Sequence, residues 1–162
     1  DLRVDTFTGE SCTLGVSNEE VAVKRKKEEH LMKIGTWNVR TMNKDSKLEN
    51  LKREMKTYNM DVLGLSEVRW TGEGELMTEE YKMVYKGGEK KEKGVAFIYK
   101  KSLDQCVQKV IPKSDRVIAL KLKNHPVDTL IIQVYMPTSD ATDEIVEEIY
   151  KQIEEILEEN GR

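Results

Sequence analysis

Two short runs limit what this chain can become. Val62-Leu63-Gly64-Leu65-Ser66 is apolar almost throughout, then breaks at Glu67-Val68-Arg69-Trp70. A run of this length, bounded by turn residues, reads as a buried strand rather than a helix. The second run, Met32-Lys33-Ile34-Gly35-Thr36-Trp37, likewise ends on a polar side chain, Asn38, before Val39 and Arg40. In open α/β sheets ligands collect in the crevice at the carboxyl ends of strands, so Asn38 and Glu67 stand where chemistry is done. The residues alone leave plainer roles open: Glu67 as a solvated strand end or helix cap, Asn38 as a cap for the turn into 39–45.

Between the runs, Lys44-Asp45-Ser46-Lys47 offers capping side chains, and Leu48, Leu51, Met55 and Tyr58 recur at helical spacing, which predicts a helix over 46–59 packed by one stripe onto a sheet. It returns the chain to the strand at 60–66. Strand, crossover helix and neighbouring strand is the layered α/β pattern. A turn is expected at Thr71-Gly72-Glu73-Gly74. Strands are then expected at 81–86, 94–100, 106–111, 116–123 and 128–136, mostly joined as hairpins, with Asn124-His125-Pro126 as one turn. A last helix, 143–159, carries Ile145, Val146, Ile149, Ile153, Ile156 and Leu157 and stops at Asn160-Gly161.

At 162 residues the chain is long enough for one domain with a core. Residues 1–31 have no sustained periodicity and are expected to form a flexible leader, with one helical turn near 18–27; 32–162 form the domain. The basic tetrad Lys24-Arg25-Lys26-Lys27 suits a nuclear-import or phosphate-binding patch, with a solvated charge run the favoured reading. No stretch approaches the roughly 18 apolar residues of a membrane span, and the first residues lack the layout of a signal peptide. The sequence opens on Asp1 rather than Met, as a fragment or conceptual translation would. Cys12 and Cys106 lack the paired spacing of zinc or redox motifs, which suits reduced thiols in a nuclear or cytoplasmic, not secreted, protein. Nine of the 30 acidic residues but only two of the 27 basic ones lie from Asp140 onward, so the overall charge of −3 hides a net +4 in the first 139 residues. A mildly basic body is compatible with phosphate contacts without requiring them.

Three segments in order, Thr36-Trp37-Asn38-Val39-Arg40-Thr41, Leu65-Ser66-Glu67-Val68-Arg69-Trp70-Thr71-Gly72 and Val134-Tyr135-Met136-Pro137-Thr138, resemble the motifs of the endonuclease/exonuclease/phosphatase superfamily, in the wording of its retrotransposon branch, the apurinic-endonuclease-like domains of LINE-type elements. The resemblance runs from about Met32 to the end. It implies a four-layer α/β sandwich, here truncated to roughly its first half. It also implies Mg²⁺-dependent phosphodiester hydrolysis, with Mn²⁺ as an alternative, DNA as partner, and no membrane. On this resemblance Glu67 is the metal ligand, Asn38 the site-organising amide beside the metal, and Tyr135 the phosphate contact.

These assignments suit the chemistry. Phosphodiester hydrolysis needs a cation to neutralise developing charge and donors to hold the phosphate. Mg²⁺ takes one or two protein carboxylates and keeps waters and substrate oxygens. Arg69 and Arg116, beside strand ends, are candidate phosphate contacts, as are Lys86, Lys90, Lys91 and Lys93 in a Gly-rich hairpin. Trp37 and Trp70 are assigned to packing. Arg40 stands where apurinic endonucleases usually carry Asp, which argues against abasic-site repair. The family's later Asp-x-Asn and Ser-Asp-His groups do not occur after Tyr135, and the two histidines, His30 and His125, fall in the leader and in a turn. A chain lacking those groups, and with them the missing C-terminal half of the domain, is expected to be weakly active or inactive alone. Two other readings use the same core: a non-catalytic, host-adapted interaction protein, and a phosphatase of small phosphoesters.

Overall fold

The computed structural model describes residues 2–8 and 31–161. The chain forms β1 (Leu2–Thr8), β2 (Leu31–Asn38), α1 (Asp45–Thr57), β3 (Val62–Ser66), β4 (Glu73–Met77), β5 (Tyr81–Lys86), β6 (Val95–Lys100), a 3₁₀ turn (Lys101–Cys106), β7 (Val107–Pro112), β8 (Val117–Leu122), β9 (Thr129–Val134) and α2 (Asp143–Asn160). Six strands make one sheet in the order β1-β2-β3-β6-β5-β4, and three make a second in the order β7-β8-β9. β2 and β3 are parallel, linked across α1, while the other pairs are antiparallel.

Alternation along the strands divides the apolar residues among three interfaces. Val62, Phe97 and Tyr99 of the large sheet meet Ile118, Leu120 and Leu122 of the small one. On the opposite face of the large sheet, Leu63, Leu65 and Ile98 pack under Leu51 and Met55 of α1. On the outer face of the small sheet, Val117 and Ala119 receive Ile149 and Ile156 of α2. The layers therefore run helix, sheet, sheet, helix: the four-layer sandwich implied by the motifs.

Some expectations are corrected. Leu2–Thr8 lies within the stretch assigned to a flexible leader, yet it pairs antiparallel with β2 from Leu31 to Trp37, Leu2 opposite Trp37 and Thr8 opposite Leu31. The rest of that leader, with its helical turn, Cys12, the basic tetrad and His30, lies outside the described residues. The expected turn at 71–74 ends at Gly72, which has a φ of +70°, and β4 begins at Glu73. β4 escapes sequence reading because all five of its residues are exposed and no alternation marks it. Helix α1 starts from Lys44 with no side-chain cap, so the expected capping by its polar neighbours is not what begins it. Its anchor is apolar, through Leu51 and Met55, which are almost completely buried.

Candidate active site

The parallel pairing of β2 and β3 sets Asn38 opposite Ser66, and therefore beside Glu67, at the end of both strands. Across the gap between the sheets, β9 ends at Val134 and delivers Tyr135 to the same place. Three strand ends from two sheets thus converge at the mouth of the sandwich. Asn38 Nδ2 donates to Glu67 Oε1 at 2.7 Å, and the Tyr135 hydroxyl donates to the same oxygen at 3.2 Å. Arg69 donates from a terminal guanidinium nitrogen to Glu67 Oε2 at 3.0 Å. Asn38 Oδ1 in turn accepts the Arg40 backbone N–H at 3.1 Å, which fixes the amide's orientation.

Burial pushes the Glu67 carboxyl upward, but the hydrogen bonds from Asn38, Arg69 and Tyr135 outweigh it and hold the group below the usual carboxylate range. Tyr135 moves the other way: burial and the neighbouring Glu67 charge raise its phenol. Glu67 is therefore an anion at neutral pH, with its side chain only 16% exposed. An ionised carboxylate offers about four acceptor positions, so three bonds leave room for one more partner. That donor set fits a hard divalent cation held by a single carboxylate, the other positions falling to water and phosphate oxygens. It is not a multidentate protein cage: no group of three His, Cys, Asp or Glu side chains is arranged for a metal among the described residues.

The backbone here is strained. Glu67 and Arg69 have φ values of +57° and +58°, and Arg40 and Thr41 of +53° and +140°. Non-glycine residues seldom occupy this region, and such outliers gather at functional sites, held there by their surroundings. The surroundings are visible: Val68 N–H donates to Gly94 O, Arg69 N–H to Lys93 O, and Met42 N–H to Val68 O. Gly94, at φ +113°, fits against Val68 where a Cβ would stand 2.7 Å from Cγ2. The 87–94 loop is thus the buttress of the Glu67 turn.

The other sequence candidates divide. Arg69 is at the carboxylate, and its Nε is buried without a hydrogen-bond partner. Arg116 grips Tyr135, donating to its carbonyl at 3.0 Å with the guanidinium 4.9 Å from the ring centroid. Lys86 pairs with Glu73 and Lys93 with Asp115, whereas Lys90 and Lys91 are exposed. Trp37 and Trp70 pack against the α1 core, Trp70 edge-on to Tyr85. His125 lies in the exposed turn between β8 and β9. Sequence reading missed the support beneath the site, Thr36 and Gln133, whose side chains bond across the gap between the sheets at 3.0 Å.

Residues 35–160 match the pattern of the Endonuclease/Exonuclease/phosphatase family. The chain belongs to that family. Over 144 residues it is 38% identical to Craniofacial development protein 2 of Bos taurus, and over 143 residues 38% identical to that of Tragulus javanicus. Each alignment covers 88% of this chain but 24% of the relative, so the chain spans about a quarter of those proteins. Among solved structures, the AP endonuclease LMAP from Leishmania major superposes with a TM-score of 0.61 at 15% identity, over 78% of this chain and 47% of that one. The APE2 catalytic domain of Xenopus laevis superposes with a TM-score of 0.50 at 17% identity, over 76% and 50%. At these identities the likeness establishes the endonuclease/exonuclease/phosphatase fold, of which the chain makes up about half. No helix among the described residues is long and apolar enough to cross a membrane.

Proposed function

We propose that this chain is the N-terminal part of a Mg²⁺-dependent, DNA-nicking endonuclease domain of non-LTR retrotransposon origin. The observation that carries the reading is the convergence on Glu67 of Asn38, Tyr135 and Arg69 from three chain segments at the mouth of the sandwich. Glu67 would hold the cation through its remaining acceptor position, and the bound cation would neutralise charge developing on the phosphate. Asn38 keeps the carboxylate turned toward the opening. Tyr135 and Arg69 bring hydrogen-bond donors to the same opening, where a phosphate oxygen would accept them. Exposed Lys90 and Lys91, on the loop that buttresses the site, suit contact with a nucleic-acid backbone.

No positioned general base accompanies these residues among those described, and such groups contribute about 10²- to 10⁴-fold. This chain alone is therefore expected to nick DNA weakly or not at all, while the domain completed by its continuation does so. Supercoiled plasmid incubated with each form and Mg²⁺ provides the test. The reading stands if the completed domain nicks and Glu67→Ala abolishes the nicking, and it falls if the completed domain is inert. The absent base favours a second reading, a host-adapted interaction protein that kept the scaffold, and an inert completed domain that still binds DNA would support it. Release of phosphate from small phosphoesters without nicking would instead indicate a phosphatase.

A further inference from the structure

Among the described residues Gln133 is one of few buried polar side chains, 7% exposed, on the face of β9 that looks into the gap between the sheets. Its Oε1 accepts the Thr36 hydroxyl across that gap at 3.0 Å. Thr36 pairs with Gly64 in the β2–β3 register, and a Cβ on Gly64 would overlap the Gln133 carboxamide, with Cδ only 2.8 Å away. The missing side chain at Gly64 is thus the socket for Gln133. Two residues further along the same strand faces come the groups of the site: Thr36 leads to Asn38, Gly64 to Ser66 and then Glu67, Gln133 to Tyr135. Side chains two apart on a strand share a face, so a displacement at the first level is passed to the second.

We propose that Gln133 is a positioning residue for the carboxylate site, seated in the Gly64 socket and tied to Thr36 so that β9 stands at the separation at which the Tyr135 hydroxyl reaches Glu67. The inference rests on the reading of Glu67 as the centre of the site, but not on turnover. An apolar side chain of the same length would fill the gap as well, and a buried amide is costly unless bonded. What the amide adds is a fixed depth and lateral register between two sheets that share no backbone hydrogen bonds within their strand ladders. Its consequence is the bond from Tyr135 to Glu67, which spans 68 residues of sequence.

The test uses the 162-residue chain with ¹³C-labelled tyrosine, the Tyr135 signal assigned through Tyr135→Phe. At pH 7 the Tyr135 Cζ chemical shift, sensitive to the bond its hydroxyl donates to Glu67 Oε1, reports the contact, and Glu67→Ala marks the value without it. Gln133→Met keeps the length and removes the bond; Thr36→Val removes the same bond from the other side; Thr36→Ser keeps the hydroxyl. The proposal expects the Tyr135 Cζ signal to move toward its Glu67→Ala position in Gln133→Met and Thr36→Val, no further in the double variant, and to stay in place in Thr36→Ser. Lower melting temperatures with an unmoved Tyr135 Cζ signal would overturn it, since Gln133 would then be mere packing. If Gln133→Met fails to fold, Thr36→Val decides, its site being near the surface. Because no catalysis is read, a positive result would survive a failure of the nuclease reading, and a negative one would leave that reading intact.

Discussion

Asn38 and Glu67, 29 residues apart in sequence, are joined at 2.7 Å because parallel pairing of β2 with β3 ends both strands at one level. The amide contributes to an anion, so its effect must depend on pH. Glu67 titrates below its ordinary value in the folded chain, hence the stabilisation is present above the unfolded-state value and is lost as pH falls through the folded one. Asn38→Ala should raise the Glu67 titration and lower stability by about 1 kcal/mol at neutral pH, solvent exposure of Asn38 discounting the usual charged hydrogen bond. Carboxyl NMR titration and thermal melts across pH check this. A deficit that stays the same after Glu67 is protonated would show that the amide acts on the backbone alone.

Glu67 also stores backbone strain, at φ +57°. Glycine normally destabilises relative to alanine, by roughly 0.5–1 kcal/mol, but in the left-handed region the order reverses because alanine's Cβ is the liability. Glu67→Gly should therefore be more stable than Glu67→Ala by about 1 kcal/mol in urea denaturation. Both variants lack the carboxylate, so the difference isolates the backbone. Equal stabilities would mean that the turn relaxes once the carboxylate's three partners are lost.

Much of this arrangement was legible in the residues and some was not. The buried strands announce themselves through Val62–Ser66 and Val95–Lys100, where burial on both faces leaves near-continuous apolar runs. The site was legible because Asn38 and Glu67 interrupt such runs at their ends. β4 was not, since Glu73, Glu75 and their neighbours hold an edge through backbone pairing with β5 and bury nothing. β1 was not, because its pairing with β2 depends on a partner beyond a long intervening stretch. Gln133 carries no signal of its own in the otherwise apolar Leu130–Val134; only its contacts with Thr36 and Gly64 of the large sheet show that it points inward. The occupied state of Arg116 was equally hidden, because its carbonyl and ring partner, Tyr135, lies 19 residues away on another strand.

Gly94 supports the site from behind. Substitution by alanine would force an L side chain into φ +113° and set its Cβ 2.7 Å from Val68 Cγ2. Gly94→Ala is expected to cost about 2 kcal/mol, within the range for a sparsely populated backbone conformation. It should also loosen the backbone bonds from Val68 and Arg69 to the 93–94 segment. Urea denaturation measures the first effect. Broadening of the amide signals of residues 67–69, with those of α2 unchanged, would mark the second; a uniform change across the chain would contradict the buttress role.

Arg69 poses the sharpest electrostatic question. Its guanidinium lies 3.0 Å from Glu67 Oε2, where it stabilises the carboxylate and also repels any cation that approaches the same group. A unit charge near a divalent ion at about 4 Å is worth roughly 2 kcal/mol even in water-like surroundings, and the exposure of Arg69 trims that further. Arg69→Met should therefore tighten Mn²⁺ binding by about tenfold at pH 7, although it raises the Glu67 titration, because Glu67 keeps Asn38 and Tyr135 and remains ionised there. Isothermal titration of the chain with Mn²⁺, with Glu67→Gln as the non-binding control, measures the change. Weaker binding in Arg69→Met would reverse the argument: orientation of the carboxylate by the guanidinium would then outweigh its repulsion of the metal, and Arg69 would belong to the cation site rather than compete with it.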